Sequence, residues 1–341
     1  MCLISLIIPI YNVQDYIGRC LDSIFLQRYN NVQLECILVN DCSQDNSMYI
    51  VHKKLNDYSG DIKFITIDHQ KNWGLCVARN TGLDNASGDY VLFVDSDDRL
   101  KPDAISSFLN AIEAVNGDVD VVVGNSYVSK NDKLAMEFAN DSSFILDNKN
   151  EEALHCLLKR EIFHTAWNKL VKRNFLHKYK IYFEKGIIDE DLLWSYYVFL
   201  YSSRVLVMPK VTYVYEDNPG SIMNTASRKI SLIVHSRIII CRQILDTPPK
   251  YIVPEYYTYI FYIFIRAINL YELYAESIGN SWEKELVLIR NRLLKSVLKD
   301  KYLFLILFFL ISYKPFYYIT KYGWFRRYYD GIVKIVLKLS R

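Results

Sequence analysis

The stretch Asp89-Tyr90-Val91-Leu92-Phe93-Val94-Asp95-Ser96-Asp97-Asp98 decides how the first half of this chain is interpreted. Residues 91–94 are continuously apolar, which is typical of a strand buried on both faces of a parallel sheet. Three carboxylates follow within four residues, and like charges this close destabilise a fold unless a cation or hydrogen-bond donors offset them. Open α/β sheets bind ligands beyond the carboxyl ends of strands, and Mg²⁺ or Mn²⁺ prefers oxygen ligands. The stretch predicts a metal and nucleotide site, or alternatively a surface turn and helix N-cap before Lys101-Pro102-Asp103.

Around this stretch, strand and helix patterns alternate over residues 1–124, which predicts a mostly parallel sheet with helices on both faces. The predicted strands cover 3–8, 34–39, 62–67, 91–94 and 119–123, and the predicted helices begin near 17, 43–47, 78 and 104. Ile17, Leu21 and Ile24 would share the buried face of the first helix. We further expect an edge hairpin or excursion over 126–149, helices over 151–201, and a closing hairpin that turns at Pro209-Lys210.

The composition is that of a globular protein, with 51% hydrophobic and 23% charged residues among 341. A net charge of +3 is too small to indicate nucleic-acid binding. The seven cysteines are an odd number without zinc spacing, and residues 3–9 lack the flanks of a signal peptide. These features predict reduced thiols and a cytoplasmic location.

The composition changes beyond Arg228, where long helical stretches rich in Tyr, Ile, Leu and Phe begin. We therefore expect a domain over 1–223 and a helical region over 224–341, with the boundary near 222–228. The apolar run 302–313 is too short to span a bilayer, which takes about 20 residues. Basic and aromatic residues alternate after it, which favours a helix lying in the membrane interface. A helical cap or a dimer surface is the alternative.

Three predicted strands end in polar groups that would meet at one edge of the sheet. Pro9-Ile10-Tyr11-Asn12 follows the first strand, Asn40-Asp41 the second, and the aspartates of the opening stretch the fourth. Tyr11 could stack on a base, and Asp41 could accept the imide N–H of a uracil. Arg79 could reach either the nucleotide or the carboxylates of the site.

The chain resembles the family-2 glycosyltransferases of the GT-A fold, of the type that builds bacterial surface polysaccharides. The matching segments are PIYNVQDYIGRCLDSI, VNDCSQDNS, NWGLCVARNTGL, GDYVLFVDSDD, AWNKLVKR and DEDLLW, in the family's order, and they cover roughly residues 3–223. The resemblance implies a nucleotide-binding half over 1–124 and an acceptor-side half over 125–223. It implies an enzyme that transfers a hexosyl or N-acetylhexosaminyl group from a nucleotide donor, UDP-linked, to a glycan hydroxyl.

The resemblance also implies roles for individual residues. The nucleotide-sugar pocket would comprise Pro9, Tyr11, Asn12, Asp41, Arg79, Asp95 and Ser96. Asp97 and Asp95 would hold Mn²⁺ or Mg²⁺, and Trp167 would line the acceptor side unless it is a buried core residue. Asp98 is left as a turn or cap residue.

A general base is needed because the acceptor hydroxyl loses its proton as it attacks. Three carboxylates, Asp189, Glu190 and Asp191, begin a predicted helix, whose partial positive charge would keep them ionised. The family's base corresponds to Asp191, with Glu190 as the second choice. Displacement from the face opposite the leaving diphosphate would invert the sugar carbon.

One segment departs from the family. Relatives carry a basic residue before Pro219-Gly220-Ser221-Ile222, whereas this chain has Glu216 and Asp217. A basic diphosphate contact from these two positions is therefore not expected, which leaves Ser221, Arg228 or Lys229 as candidate replacements.

The aromatic, basic tail suggests a polyprenyl-linked acceptor at the inner face of the cytoplasmic membrane, with the enzyme bound peripherally. Nucleotidyltransferases and NAD-dependent oxidoreductases are disfavoured, since no glycine-rich loop follows the first strand. A membrane-docked sugar-nucleotide scaffold without activity is the remaining alternative.

Overall fold

The computed structural model describes residues 2–30, 32–115, 118–129, 133–134, 143–147, 151–218, 230–278 and 282–300. Within them the chain divides into two compact units. The first comprises Met1–Leu157, Glu161–Gly186 and Glu190–Ser221, and the second comprises Leu158–Arg160, Ile187–Asp189 and Ile222–Arg341. The predicted boundary near 222–228 and the predicted interfacial tail lie outside the described residues, as does much of the predicted excursion over 126–149.

The first unit is built on a mixed sheet. Its described strands are β1 (Cys2–Ile10), β2 (Val32–Asn40), β3 (Lys63–Asp68), β4 (Tyr90–Phe93), β5 (Arg99–Leu100), β6 (Val121–Val128), β7 (Lys133–Leu134), β8 (Phe144–Asp147), β9 (Lys169–Lys172) and β10 (Arg204–Tyr215). They are ordered β3-β2-β1-β4-β9-β6-β10-β5, with β7 beside β6 and β8 beside β10. The pairs among β1 to β4 are parallel, and so is β6 with β10. The predicted α/β class is confirmed, and so is the expected parallel pairing among the strands β1 to β4.

The helices of this unit occupy the places that the sequence pattern indicates. They are α1 (Ile17–Phe25), α2 (Ser47–Asp57), α3 (Leu75–Asp84), α4 (Ala104–Glu113), α5 (Glu152–Leu158), α6 (Arg173–Lys178) and α7 (Glu190–Tyr201). Ile17, Leu21 and Ile24 are buried together on α1, as their spacing predicts. The helix therefore packs its apolar face on the sheet core, where β1, β2 and β4 contribute fully buried side chains.

The predicted closing hairpin is wrong, because residues 204–215 form the single strand β10. Its register against β6 shifts between Val207 and Val211 and again between Val211 and Tyr213. Pro209 lies inside the first shift and has no backbone N–H to give to the ladder. The shifted register accommodates the proline at a position where no ladder hydrogen bond is needed, and the chain continues in the same direction.

Strand β9 was not expected, since the sequence predicts helices throughout 151–201. It lies between β4 and β6 and is antiparallel to both. Only four residues form it, and Leu170 and Val171 are its apolar pair, so no periodicity distinguishes it from a helix segment. Because it is antiparallel, β9 begins at the edge of the sheet where β4 ends.

The second unit is helical within the described residues. It contains α8 (Ile230–Asp246), α9 (Pro254–Ile278, with non-helical backbone angles at Tyr274) and α10 (Glu283–Lys299). Its core includes Val234, Ile238, Ile260, Phe264 and Leu293, each with at most 1% of its surface exposed. Among the described helices, none is both long and apolar enough to cross a membrane.

Candidate active site

The carboxyl ends of β1, β2 and β4 lie side by side, because the three strands are parallel neighbours. Pro9 is buried within β1, and Tyr11 just beyond it exposes 45% of its surface. The tyrosine ring is therefore available to a ligand, as stacking on a base would require.

The segment after β1 is tied to the segment after β2. Asn12, with φ of 51°, accepts a hydrogen bond at Oδ1 from the backbone of Gln44 (2.8 Å) and donates its own N–H to Ser43 (3.2 Å). Asn12 thus shapes the loop, and its predicted contact with a nucleotide stays a prediction.

Asp41 is buried and already accepts several hydrogen bonds. The backbone N–H groups of Trp73 (2.9 Å) and Gly74 (2.8 Å) donate to its two oxygens, and His69 Nδ1 lies 2.7 Å from Oδ1. A carboxylate has about four acceptor positions, so room for a uracil imide remains. His69 was not predicted as a site residue. It directly follows β3, however, and residues beyond the carboxyl ends of parallel strands are candidates for ligand binding.

Arg79 connects the donor and acceptor residues of the predicted site. The side chain comes from α3, is 1% exposed, and donates from Nη2 to Asp95 (2.7 Å). Its Nη1 donates to both Glu190 (2.8 Å) and Asp191 (2.7 Å) at the start of α7. Of the two predicted targets of Arg79, the structure shows contact with the carboxylates. One guanidinium therefore pairs with three acidic side chains, and its single positive charge offsets only part of their charge.

The two candidate bases differ in environment. Burial and the neighbouring charge of Asp191 raise the pKa of Glu190 to about 7, against the opposing effect of Arg79. Asp191 is 17% exposed at its side chain and accepts a hydrogen bond at Oδ2 from the backbone of Ala166 (3.0 Å). Asp191 is thus the more accessible and the more firmly oriented carboxylate.

Asp98 closes a turn, as the sequence suggested, since its backbone N–H donates to the carbonyl of Asp95 (3.0 Å). It is 1% exposed, and it accepts hydrogen bonds from Tyr213 Oη (2.7 Å) and the backbone of Glu216 (2.8 Å). Burial and the neighbouring Asp95 and Asp97 raise the pKa of Asp98 well above its usual range. Its contacts fix the end of β4 against the end of β10.

Glu216 lies in the segment that differs from the family pattern, and its acidic side chain has a structural role. Its carboxylate pairs with Arg99 and accepts a hydrogen bond from Ser129 (2.9 Å). These two partners and the backbone contact to Asp98 fasten the end of β10 to its neighbours.

Tyr213 is a further site residue that was not predicted from the sequence. Besides donating to Asp98, its hydroxyl accepts a hydrogen bond from the backbone N–H of Asp95 (3.1 Å). Tyr213 was assigned to a hairpin from its local pattern, and only the long-range pairing of β10 brings it to the aspartates.

The aspartates could hold a divalent cation only with help from a ligand. Within the described part of the chain, no group of three His, Cys, Asp or Glu side chains is placed to hold a metal ion. Asp97 uses Oδ2 to accept from Asn218 (2.8 Å) and Asp95 uses Oδ1 for Arg79, so each keeps a second oxygen. Mg²⁺ is commonly bound by one or two carboxylates together with substrate phosphates, and the two side chains fit that arrangement. Ser96 between them is buried.

Trp167 is buried, with 8% of its surface exposed. Its ring stacks on Tyr213 at a centroid distance of 4.5 Å and on Tyr215 at 5.8 Å. Trp167 is therefore packed as a buried core residue, which was the alternative to its predicted role on the acceptor side. Its contact with the acceptor stays a prediction.

Lys169 is a fully buried amine close to the candidate base. It donates to the carbonyl of Thr165 (2.5 Å), and burial lowers its pKa to about 7 although Asp191 acts in the opposite direction. The lysine therefore titrates near neutral pH.

A cavity of about 690 Å³ lies elsewhere, at the amino ends of β2 and β3. Gln27, Tyr29, Tyr58 and Asp61 are among its lining residues. Because ligands of α/β sheets bind at the carboxyl ends of strands, we assign the candidate site to the aspartate edge and not to this cavity.

A family model described as glycosyl transferase family 2 matches residues 5–180, which include β1 to β4, Arg79 and the aspartates. The chain belongs to glycosyl transferase family 2. Among its relatives, glycosyltransferase GlyA of Streptococcus pneumoniae is 35% identical over 66% of this chain, which spans 32% of GlyA. This family-2 chain therefore corresponds to about a third of that relative's length.

Solved structures show the same GT-A fold. The structure of Staphylococcus aureus TarS 1-349 in complex with UDP-GlcNAc matches 87% of this family-2 chain and 82% of its own, with a TM-score of 0.65 and 19% identity. The mannosyltransferase PcManGT from Pyrobaculum calidifontis, in complex with GDP-Man and Mn²⁺, matches 93% and 83% with a TM-score of 0.53 and 18% identity.

Proposed function

We propose that this protein is an inverting glycosyltransferase that moves a hexosyl or N-acetylhexosaminyl group from a UDP-linked donor to a hydroxyl of a glycan. The observation that carries the proposal is the ion-pair cluster around Arg79. It joins Asp95, a candidate donor residue, to Asp191, the candidate base, through two contacts of 2.7 Å. A transferase needs donor and acceptor groups within reach of one reacting carbon.

The donor side is supported by the exposed ring of Tyr11 and by the remaining acceptor position of Asp41. Tyr11 would stack on the base, and Asp41 would accept its imide N–H. The TarS structure, which has this fold, binds UDP-GlcNAc, and this agrees with a uridine nucleotide as donor.

Asp97 and Asp95 would hold Mn²⁺ or Mg²⁺, which neutralises the leaving diphosphate when bound. The second oxygen of each carboxylate is available for this role. The PcManGT structure contains Mn²⁺ together with its sugar nucleotide.

Asp191 would accept the proton of the acceptor hydroxyl while the oxygen attacks the anomeric carbon. The new glycosidic bond forms as the bond to the nucleoside diphosphate breaks. Arg79 and the backbone of Ala166 hold the Asp191 carboxylate in one orientation during this step. A single displacement inverts the configuration of the sugar carbon.

Polysaccharide or glycoconjugate synthesis is the setting that the relatives suggest, since TarS is named a poly(ribitol-phosphate) β-N-acetylglucosaminyltransferase. A polyprenyl-linked acceptor and peripheral attachment to the inner membrane face rest on the composition of residues 301–341. Deleting these residues should release the protein from liposomes, and retained binding would contradict the attachment.

The proposal is tested by incubating the purified chain with a panel of nucleotide sugars, with Mn²⁺, and measuring the released nucleotide. Slow hydrolysis of one UDP-sugar is expected. A lack of hydrolysis of every donor, with and without acceptor extracts, would favour the scaffold without activity.

The metal site is tested by calorimetry of UDP binding with and without Mn²⁺. Asp97→Ala should abolish the metal-dependent part of the affinity. The control is Asp57→Asn at the exposed end of α2, which should bind as the wild type does. Equal metal-dependent binding by Asp97→Ala would remove Asp97 as a metal ligand.

A further inference from the structure

Two arginines of the helical unit contact one tyrosine, and a third arginine lies near enough to interact with them electrostatically. The guanidinium of Arg160 lies 3.7 Å from the centre of the Tyr262 ring, and Arg266 Nη1 donates to the Tyr262 hydroxyl (2.7 Å). Both arginines are exposed, and Tyr262 is half-buried. Arg237, on the neighbouring helix α8, is buried and close enough for its charge and those of Arg266 and Tyr262 to act on one another.

Arg237 is incompletely paired. Its Nη2 donates to Asp189 (2.5 Å), but its buried Nε and Nη1 have no hydrogen-bond partner among the described residues. A buried donor without a partner destabilises the fold, and the cost is larger when the donor is charged. The fold therefore maintains a positive charge here that one aspartate does not fully satisfy.

The charges of the cluster do not cancel. Arg160, Arg237 and Arg266 against Asp189 leave a formal charge of +2 on these four residues. Burial acts to raise the pKa of Tyr262, yet Arg266 and Arg160 lower it below its usual value. The positive field at the tyrosine thus outweighs the effect of its burial.

Two residues of the cluster also adopt unusual backbone conformations. Arg160 has φ of 63° and Asp189 has φ of 59°, in the left-handed region that residues other than glycine seldom occupy. Such conformations are energetically unfavourable and concentrate at functional sites.

We infer that Arg160, Arg266 and Arg237 form a binding site for a phosphate or diphosphate group, with Arg160 and Arg266 as its exposed contacts. The planar guanidinium matches phosphate oxygens in bidentate geometry, and a phosphate group carries the charge that balances +2. Arg237 is buried and contributes its charge to the same cluster.

The first test is calorimetry of the full chain with inorganic pyrophosphate, in EDTA so that no divalent cation takes part. The wild type should show saturable binding. Arg160→Gln and Arg266→Gln should each weaken the affinity by about fivefold or more, since each removes a charged hydrogen-bond donor. Arg242→Gln is the matched control, because it removes an exposed arginine from α8 outside the cluster.

Absence of saturable binding by the wild type would overturn the inference. Equal weakening by Arg242→Gln would also overturn it, because the effect would then be general charge attraction. Thermal unfolding of each variant verifies that it is folded, and substitutions at these exposed positions should leave the midpoint nearly unchanged.

The second test separates a soluble phosphate from a lipid headgroup. The full chain is sedimented with phosphatidylglycerol and with phosphatidylcholine vesicles, with and without pyrophosphate. Binding to the anionic vesicles that pyrophosphate displaces, and that the Arg160→Gln/Arg266→Gln variant loses, would assign a headgroup. Pyrophosphate binding to the same arginines without displacement from vesicles would assign a phosphate group on a soluble molecule.

Discussion

Arg79 Nη1 lies 2.7 Å from Asp191 Oδ1, although the two residues are 112 positions apart in the chain. The same guanidinium contacts Asp95 at the end of β4. This arrangement ties the proposed base to the proposed metal site through one rigid, planar group.

Arg79→Lys keeps the positive charge at this position, but it should nevertheless impair transfer strongly. A single ammonium cannot reproduce the forked contacts to Asp95, Glu190 and Asp191. We expect turnover to fall by roughly 100-fold and the free energy of unfolding to fall by roughly 1–3 kcal/mol. Arg19→Lys is a control at an exposed arginine of α1. Turnover within a few-fold of wild type would show that the cluster does not position the base.

Asp191→Asn should leave the affinity for the UDP-sugar unchanged but reduce transfer by about 10²–10⁴-fold, the usual contribution of a general base. Donor affinity is measured by calorimetry and turnover by release of UDP in the presence of acceptor. Unchanged turnover would remove Asp191 as the base. If Glu190→Gln then lost activity, the role would pass to Glu190.

Tyr213→Phe should weaken both stability and metal-dependent UDP binding. The variant removes the donor to Asp98 Oδ2, so that only the Glu216 contact to Oδ1 remains, and it leaves the Asp95 N–H without its acceptor. The cost is about 1–3 kcal/mol. Chemical denaturation measures the first effect and calorimetry with Mn²⁺ the second. Tyr215→Phe, which also removes a hydroxyl beside Trp167, should alter neither property. Identical behaviour of the two variants would contradict the role of the Tyr213 hydroxyl.

Lys169 should make stability rise with pH above neutrality. Its pKa is about 7 in the folded protein and about 10.4 in an unfolded chain. Between these values the unfolded state binds more protons, so the contribution of this group to stability increases with pH and is smallest below pH 7.

The measurement is the free energy of unfolding of wild type and Lys169→Met from pH 6 to 9. Both proteins share every other titrating group, so their difference isolates Lys169. The variant should be the more stable near pH 7, and its advantage should shrink as pH rises. Lys172→Met, in the same strand but partly exposed and paired with Asp118, is the control for removal of a lysine from β9. A difference that stays constant with pH would contradict the prediction.

The sequence was informative where structure is local. Continuous apolar runs identified β1, β2 and β4. Because the carboxyl ends of parallel strands meet at one edge of a sheet, Tyr11, Asp41 and Asp95 could be placed together there. The spacing of Ile17, Leu21 and Ile24 identified the buried face of α1.

The remaining features depend on pairing between distant residues. Strand β9 has four residues and no distinctive period, so only its place between β4 and β6 makes it a strand. Likewise, Pro209 and Lys210 resemble a turn locally, but the shifted ladder with β6 keeps the chain straight. The roles of Tyr213 and Asp98 follow from that pairing and were therefore invisible in the sequence.

The position of β9 between β4 and β6 has a consequence for how the sequence around the site can vary. Because both of its edges are hydrogen-bonded, to β4 and to β6, the strand is held in register from two sides. The residues just before it, Thr165 to Trp167, arrive at the aspartate edge from a separate stretch of chain. Substitutions in that incoming segment would act next to Asp191, whose carboxylate the backbone N–H of Ala166 contacts, while the strands that bear the aspartates keep their positions. Exchange of this segment between relatives would therefore test whether it takes part in the proposed choice of acceptor.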